Sequence, residues 1–143
     1  MSLSTDQVAA RISLRPTWIE VTPASLPDLM AGVVQLRAGV EVCNGNDLDL
    51  ELLEAPWVAR FGEVNVGQGT VLGPVPLAAN ECRELLVDGQ LALLSAGAVA
   101  MDALAAGRLP TPAVDIEAVG RALGFTVRRK LRLDGFAVRS GTR

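Results

Sequence analysis

Asp115-Ile116-Glu117-Ala118-Val119-Gly120-Arg121-Ala122-Leu123-Gly124-Phe125-Thr126-Val127-Arg128-Arg129-Lys130-Leu131-Arg132-Leu133-Asp134-Gly135-Phe136-Ala137-Val138-Arg139 changes its periodicity half-way. In the first part Ile116, Val119 and Leu123 recur at helical spacing behind Asp115, an N-cap residue type, and Gly124 stands where a helix needs a left-handed terminator. In the second part apolar and basic residues alternate. Phe125 to Leu133 and Phe136 to Arg139, joined by Asp134-Gly135, read as a β-hairpin, because Asp-Gly tolerates the positive φ angles of a type I′ turn. That register sets Leu131, Leu133, Phe136 and Val138 on one face for interaction or packing, and Arg128, Lys130, Arg132 and Arg139 on the other. The segment 114–143 is thus expected to be a helix followed by a hairpin, entered through Leu109-Pro110-Thr111-Pro112, so that a sub-element boundary falls near 109–113.

Upstream, Ser4 with Gln7 three residues on has the form of a capping box, and Pro16 limits that helix to about Leu14. Thr17 to Val21 is a short strand by composition. Ser25-Leu26-Pro27-Asp28 opens a second expected helix running to about Arg37. Val40 and Val42, Asn44-Gly45-Asn46, and the alternation of Leu48, Leu50 and Leu52 with Asp47, Asp49 and Glu51 predict another hairpin, with one acidic face and a second strand stopped by Pro56. Trp57 to Phe61 and Glu63 to Val66 are further extended chain, closed off by Pro74 and Pro76 after a turn at Gly67-Gln68-Gly69. Asn80 is placed to cap a short helix to Val87. Leu91 to Leu94 read as a buried strand and Val99 to Ala106 as a helix. Taken together, residues 1–143 are expected to form a single α+β domain with a mainly antiparallel sheet, three to five short helices and the C-terminal helix plus hairpin.

Composition narrows function mostly by exclusion. Half of the 143 residues are apolar and 20% are charged, which requires a packed core. The chain has no histidine, so Ser/His and Cys/His catalysis and histidine-ligated metals are ruled out together. Cys43 and Cys82 stand apart, without a CxxC pair, and are expected to be buried free thiols. Neither a cofactor nor a metal site is predicted. The Asn44–Glu51 acids lie in a line along a strand and do not converge as in a calcium loop. Gly67, Gly69 and Gly73 miss dinucleotide spacing, and Glu81 with Glu84 reads as a solvated pair. No run approaches the roughly 20 apolar residues of a membrane span. With a net charge of −3, nucleic acid is an improbable partner overall. The expected setting is the cytoplasm, or a particle assembled there such as a virion.

Charge is nonetheless divided unevenly. Residues 121–143 hold seven basic side chains against Asp134 alone, whereas the first 120 residues hold six arginines against 15 acids. The basic face is open to three readings: a solvated surface, a dock for an acidic protein surface, or phosphate contacts. The second also employs the acidic row Asp47, Asp49 and Glu51 as a complement. The expectation is therefore a non-enzymatic assembly or interaction module that self-associates or docks on a partner through its basic C-terminal hairpin. The alternative is a small histidine-free enzyme or ligand-binding domain using carboxylates, arginines and backbone amides.

Gly67-Gln68-Gly69-Thr70-Val71-Leu72 and Glu84-Leu85-Leu86-Val87-Asp88-Gly89-Gln90-Leu91, with Gly97-Ala98-Val99 beyond, resemble the glycine-punctuated strands of the small β-rich domains of flagellar switch and type III secretion ring proteins. The resemblance covers about 30 residues. It implies a non-catalytic, self-assembling module, a weaker alternative that leaves the last 34 residues without a counterpart.

Overall fold

The computed structural model describes residues 4–22, 27, 30–61, 63–92 and 112–138. Helix α1 is Thr5–Ala10, and its capping box forms as the sequence predicts: the Ser4 hydroxyl accepts from the Gln7 amide while the Gln7 side chain accepts from the Ser4 amide, each at 3.2 Å. The helix then stops four residues before its expected end. All the other described elements are strands: β1 (Ile12–Thr22), β2 (Val33–Asn44), β3 (Leu50–Phe61), β4 (Val64–Leu77), β5 (Cys82–Ala92), β6 (Ala113–Ala122), β7 (Phe125–Leu133) and the two-residue β8 (Ala137–Val138). They build two four-stranded sheets, β5-β2-β1-β8 (sheet A) and β4-β3-β6-β7 (sheet B). Every neighbouring pair is antiparallel except β1 with β8.

The α+β expectation is therefore corrected to a β-sandwich carrying one short helix among the described residues. Three expected helices fall wholly or partly on strands. Val33 to Arg37 begin β2, Cys82 to Val87 begin β5, and Asp115 to Ala122 are nearly all of β6. The expected helix at 99–106 lies outside the described residues. The prolines expected to end strands do not, since β3 passes through Pro56 and β4 through Pro74 and Pro76, and Pro16, expected to limit the first helix, lies within β1. Pro16 sits beside a register shift in β1, and β4 is the outer strand of its sheet, both places where a missing amide costs little.

The misread helix has a physical origin. In β6 Val114, Ile116, Ala118 and Ala122 face the common core at period two, but Val119 is buried as well, on the opposite side and outside that core. A bulge in β3 between Leu52 and Glu54 lies opposite Val119. A strand with one apolar residue buried on its outer face next to a bulge shows apolar residues three apart as well as two apart, so periodicity supports either reading.

Both expected hairpins are also corrected. β2 and β3 lie in different sheets, and Asn44-Gly45-Asn46 carries the chain from one to the other. Asn44 is buried there, its amide donating to the carbonyls of Leu48, Leu77 and Ala78 at 2.9–3.2 Å, and its Oδ1 accepting from the backbone and side-chain amides of Asn46. Asp134-Gly135 likewise crosses from β7 in sheet B to β8 in sheet A, with Gly135 at φ +74°. The tight hairpin is at Leu123-Gly124 instead, where φ is +52° and +83° and Ala122 pairs with Phe125. Two successive positive φ angles define the type I′ turn that a right-twisted strand pair requires.

The core lies between the sheets and includes Val34, Leu36, Val40, Val42, Leu85, Val87 and Leu91 from sheet A, and Leu50, Leu52, Trp57, Val114, Ile116 and Val127 from sheet B. Leu50 and Leu52 are buried with Glu51 exposed between them, as their alternation predicts. Cys43 and Cys82 face each other across β2 and β5 and form a disulfide, which replaces the expected free thiols.

Candidate functional site on the outer face of sheet B

Strand β7 keeps the alternation read from its sequence. Val127, Leu131 and Leu133 point inward and Arg128, Lys130 and Arg132 point to solvent. Leu133 and Phe136 are core residues, 4% and 5% exposed, and Leu131 packs against that core. The apolar side of the segment is thus consumed by packing within this chain, not held out for a second molecule. Arg139 and the side chain of Val138 lie outside the described residues.

The carboxylates that meet the basic stripe come from β6, not from the acidic row expected to complement it. Asp115 lies directly opposite Arg132 in the β6–β7 register, and Glu117 opposite Lys130. Each oxygen of Asp115 accepts from a different arginine: Oδ1 from Arg132 Nε at 2.9 Å and Oδ2 from Arg60 Nε, on the other neighbouring strand, at 2.8 Å. Glu117 accepts from Arg128 at 3.4 Å, and Arg132 also approaches Glu63 at 3.9 Å. Lys130 forms no ion pair among the described residues. Asp47 and Asp49 are used elsewhere, accepting from the Asn80 side chain and the Ala79 amide to hold the β4–β5 turn, while Glu51 stands opposite Arg121 at the far end of β3.

Hydrogen bonding from Arg132, reinforced by Arg60 and opposed by partial desolvation, holds the Asp115 carboxyl below its ordinary value. It stays ionised at neutral pH and is a weak base there, which suits electrostatic recognition and not proton transfer. A lowered carboxylate pKa contributes stability that is complete above the unfolded value and lost as pH falls through the folded one. Asp115→Asn should therefore be less stable than the wild type at neutral pH, with the gap closing as pH falls through and below the ordinary carboxylate range. Urea midpoints across that range provide the check. A gap that does not change with pH would mean the two arginines contribute nothing through charge.

Between β4 and β7 this face sinks into a depression of about 480 Å³. Pro56 and Val58 form its floor on β3, Gln68 and Thr70 one wall, and Arg60, Asp115, Glu117 and Lys130 the other. Sequence reading found Lys130 and missed the rest. The signal was present: Asp115 and Glu117 alternate with Val114, Ile116 and Ala118, and taken as a strand they fall on one face.

Fold and face together define a two-sheet β-sandwich with a charge-lined depression on one exposed sheet. No family model and no curated protein matches the chain. Among solved structures it is similar to the Northeast Structural Genomics Consortium target SoR45, with 10% identity over 90% of this chain and 89% of that one and a TM-score of 0.62. It is also similar to the Bordetella pertussis protein described as ApaA, with 15% identity over 86% and 88% of the two chains and a TM-score of 0.52. At these identities the likeness establishes the fold alone. Among the described residues no helix is long and apolar enough to cross a membrane.

Proposed function

We propose that this chain is a non-catalytic protein-interaction module whose depression on sheet B docks an extended, acidic segment of a partner protein. The observation that carries the reading is Lys130, a cation without an ion pair among the described residues, at the rim of an apolar-floored depression and flanked along β7 by Arg128 and Arg132, which are 61% and 44% exposed. An acidic segment would place carboxylates against that stripe and apolar side chains over Pro56 and Val58, with Thr70 and Gln68 offering hydrogen bonds opposite. Register and association rate would follow from charge, and affinity from the floor. Because Asp47 and Asp49 already hold the β4–β5 turn, the chain's own acidic row is a poorer complement than a foreign one. A second copy of the chain is thus an outcome of the test instead of the expected occupant.

The probe is a fluorescent peptide alternating glutamate and valine, followed by anisotropy. Wild type should bind it, more weakly as salt shortens the Debye length to about 8 Å at physiological ionic strength. Lys130→Gln with Arg128→Gln should strongly weaken binding while leaving the unfolding midpoint little changed, since exposed ion pairs contribute only about 0.2–1 kcal/mol each. Equal binding by wild type and the double variant would sink the proposal. So would concentration-dependent dimerisation in place of peptide binding, which would make the chain its own partner.

A further inference from the structure

The outer face of sheet A carries a second constellation, independent of the docking depression. Glu41-Val42-Cys43 on β2 and Cys82-Arg83-Glu84 on β5 have mirrored order, and the antiparallel register sets Cys43 opposite Cys82 and Glu41 opposite Glu84. The i, i+2 spacing turns all four side chains to the same side of the sheet. The ligand atoms of Glu41, Cys43 and Cys82 lie within 4.8 Å of one another. Two carboxylates directly across a strand pair repel. Here Glu41 is satisfied by Arg15 and Glu84 by the Trp18 indole N–H at 3.4 Å.

We propose that Cys43 and Cys82, once reduced, bind a zinc ion together with Glu41. Two thiolates and a carboxylate converging from adjacent strands supply three ligands of the type zinc takes in a tetrahedral shell, and solvent fills the fourth position. Glu84 adds negative potential on the same face. A dithiol reductant supplies the two electrons: its own thiols close to a disulfide, the Cys43–Cys82 bond opens to two thiols, and their protons leave to solvent as zinc binds. Cys82 is exposed and Cys43 half-buried, so the bond is within reach of such a reductant. In an oxidising compartment the pair stays a cross-strand clamp between β2 and β5; in a reducing one the same two residues become metal ligands.

The full chain, reduced with a dithiol and then freed of it without air, is titrated with zinc against a chromophoric chelator. One zinc per chain is expected for the reduced protein and none for the oxidised. Cobalt in place of zinc should show the intense ultraviolet absorption of thiolate-to-metal charge transfer. Cys43→Ser with Cys82→Ser should lose binding. Glu41→Gln, which leaves both thiols in place, should weaken it by about tenfold or more. A reduced chain that takes up no zinc overturns the proposal, as does zinc affinity left unchanged by Glu41→Gln.

Discussion

A chain ended at Ala113 should fail to fold, giving a circular dichroism spectrum without β structure and aggregating on concentration. Such a fragment loses β6, which stands between β3 and β7 in the middle of sheet B, so β3 would be left with an unpaired edge along its length. It also loses Val114, Ile116, Ala118, Ala122, Val127, Leu133 and Phe136, all at most 6% exposed. At about 1.5–3 kcal/mol for each of the five large apolar side chains among them, that burial is as large as the roughly 5–15 kcal/mol by which a domain is stable. A soluble fragment with a cooperative unfolding transition would show that residues 1–113 hold a core of their own and that the two sheets are less interdependent than their shared core implies.

Trp57→Ala should cost about 3–5 kcal/mol, the range for removing a large aromatic from a packed core. Trp57 is 2% exposed and reaches from β3 across the sandwich. A side chain at Gly69 of β4 would meet the indole at 2.7 Å, and one at Gly89 of β5, in the other sheet, would also meet it at 2.7 Å. Both glycines leave room for the ring, so the indole fills a space that two strands have been cleared to create. Denaturant unfolding followed by circular dichroism measures the loss. A cost under about 1 kcal/mol would mean that the sheets close over the gap, and the ring would then not be the spacer that sets their separation.

The two effects share a cause with the charged outer face of sheet B. Arg60, Asp115 and Arg132 come from β3, β6 and β7, and they meet because β6 is central; the same strand that completes the core aligns the charged row above it. Substitutions confined to the outer face, such as those at Arg128 and Lys130, leave the inner face untouched because neighbouring strand residues point to opposite sides. Outer-face charge and stability are therefore separable on β7.

What the sequence determined by itself are the features whose physics closes within a few residues. The Ser4–Gln7 capping box forms because both of its hydrogen bonds span three residues. The basic and apolar sides of β7 follow from alternation along one strand, and the inward Leu50 and Leu52 from the same rule. The capacity of Gly124 and Gly135 for positive φ is likewise local. The tertiary structure alone decided which strand lies beside which. Asp134-Gly135 has the chemistry of a hairpin turn and makes a crossing between sheets, because Leu133 and Phe136 on either side of it both gain more by entering the common core than by facing each other. Asp115 and Arg60, 55 residues apart, share no signal along the chain; they meet because burying the apolar face of β6 against sheet A leaves its carboxylates on the solvent side, next to β3. The expected helix over Asp115–Leu123 failed for the same reason. Its residues fit two periods, and the choice between them was made by the hydrogen bonds that β3 and β7 offer on either side, partners that no window on that segment contains.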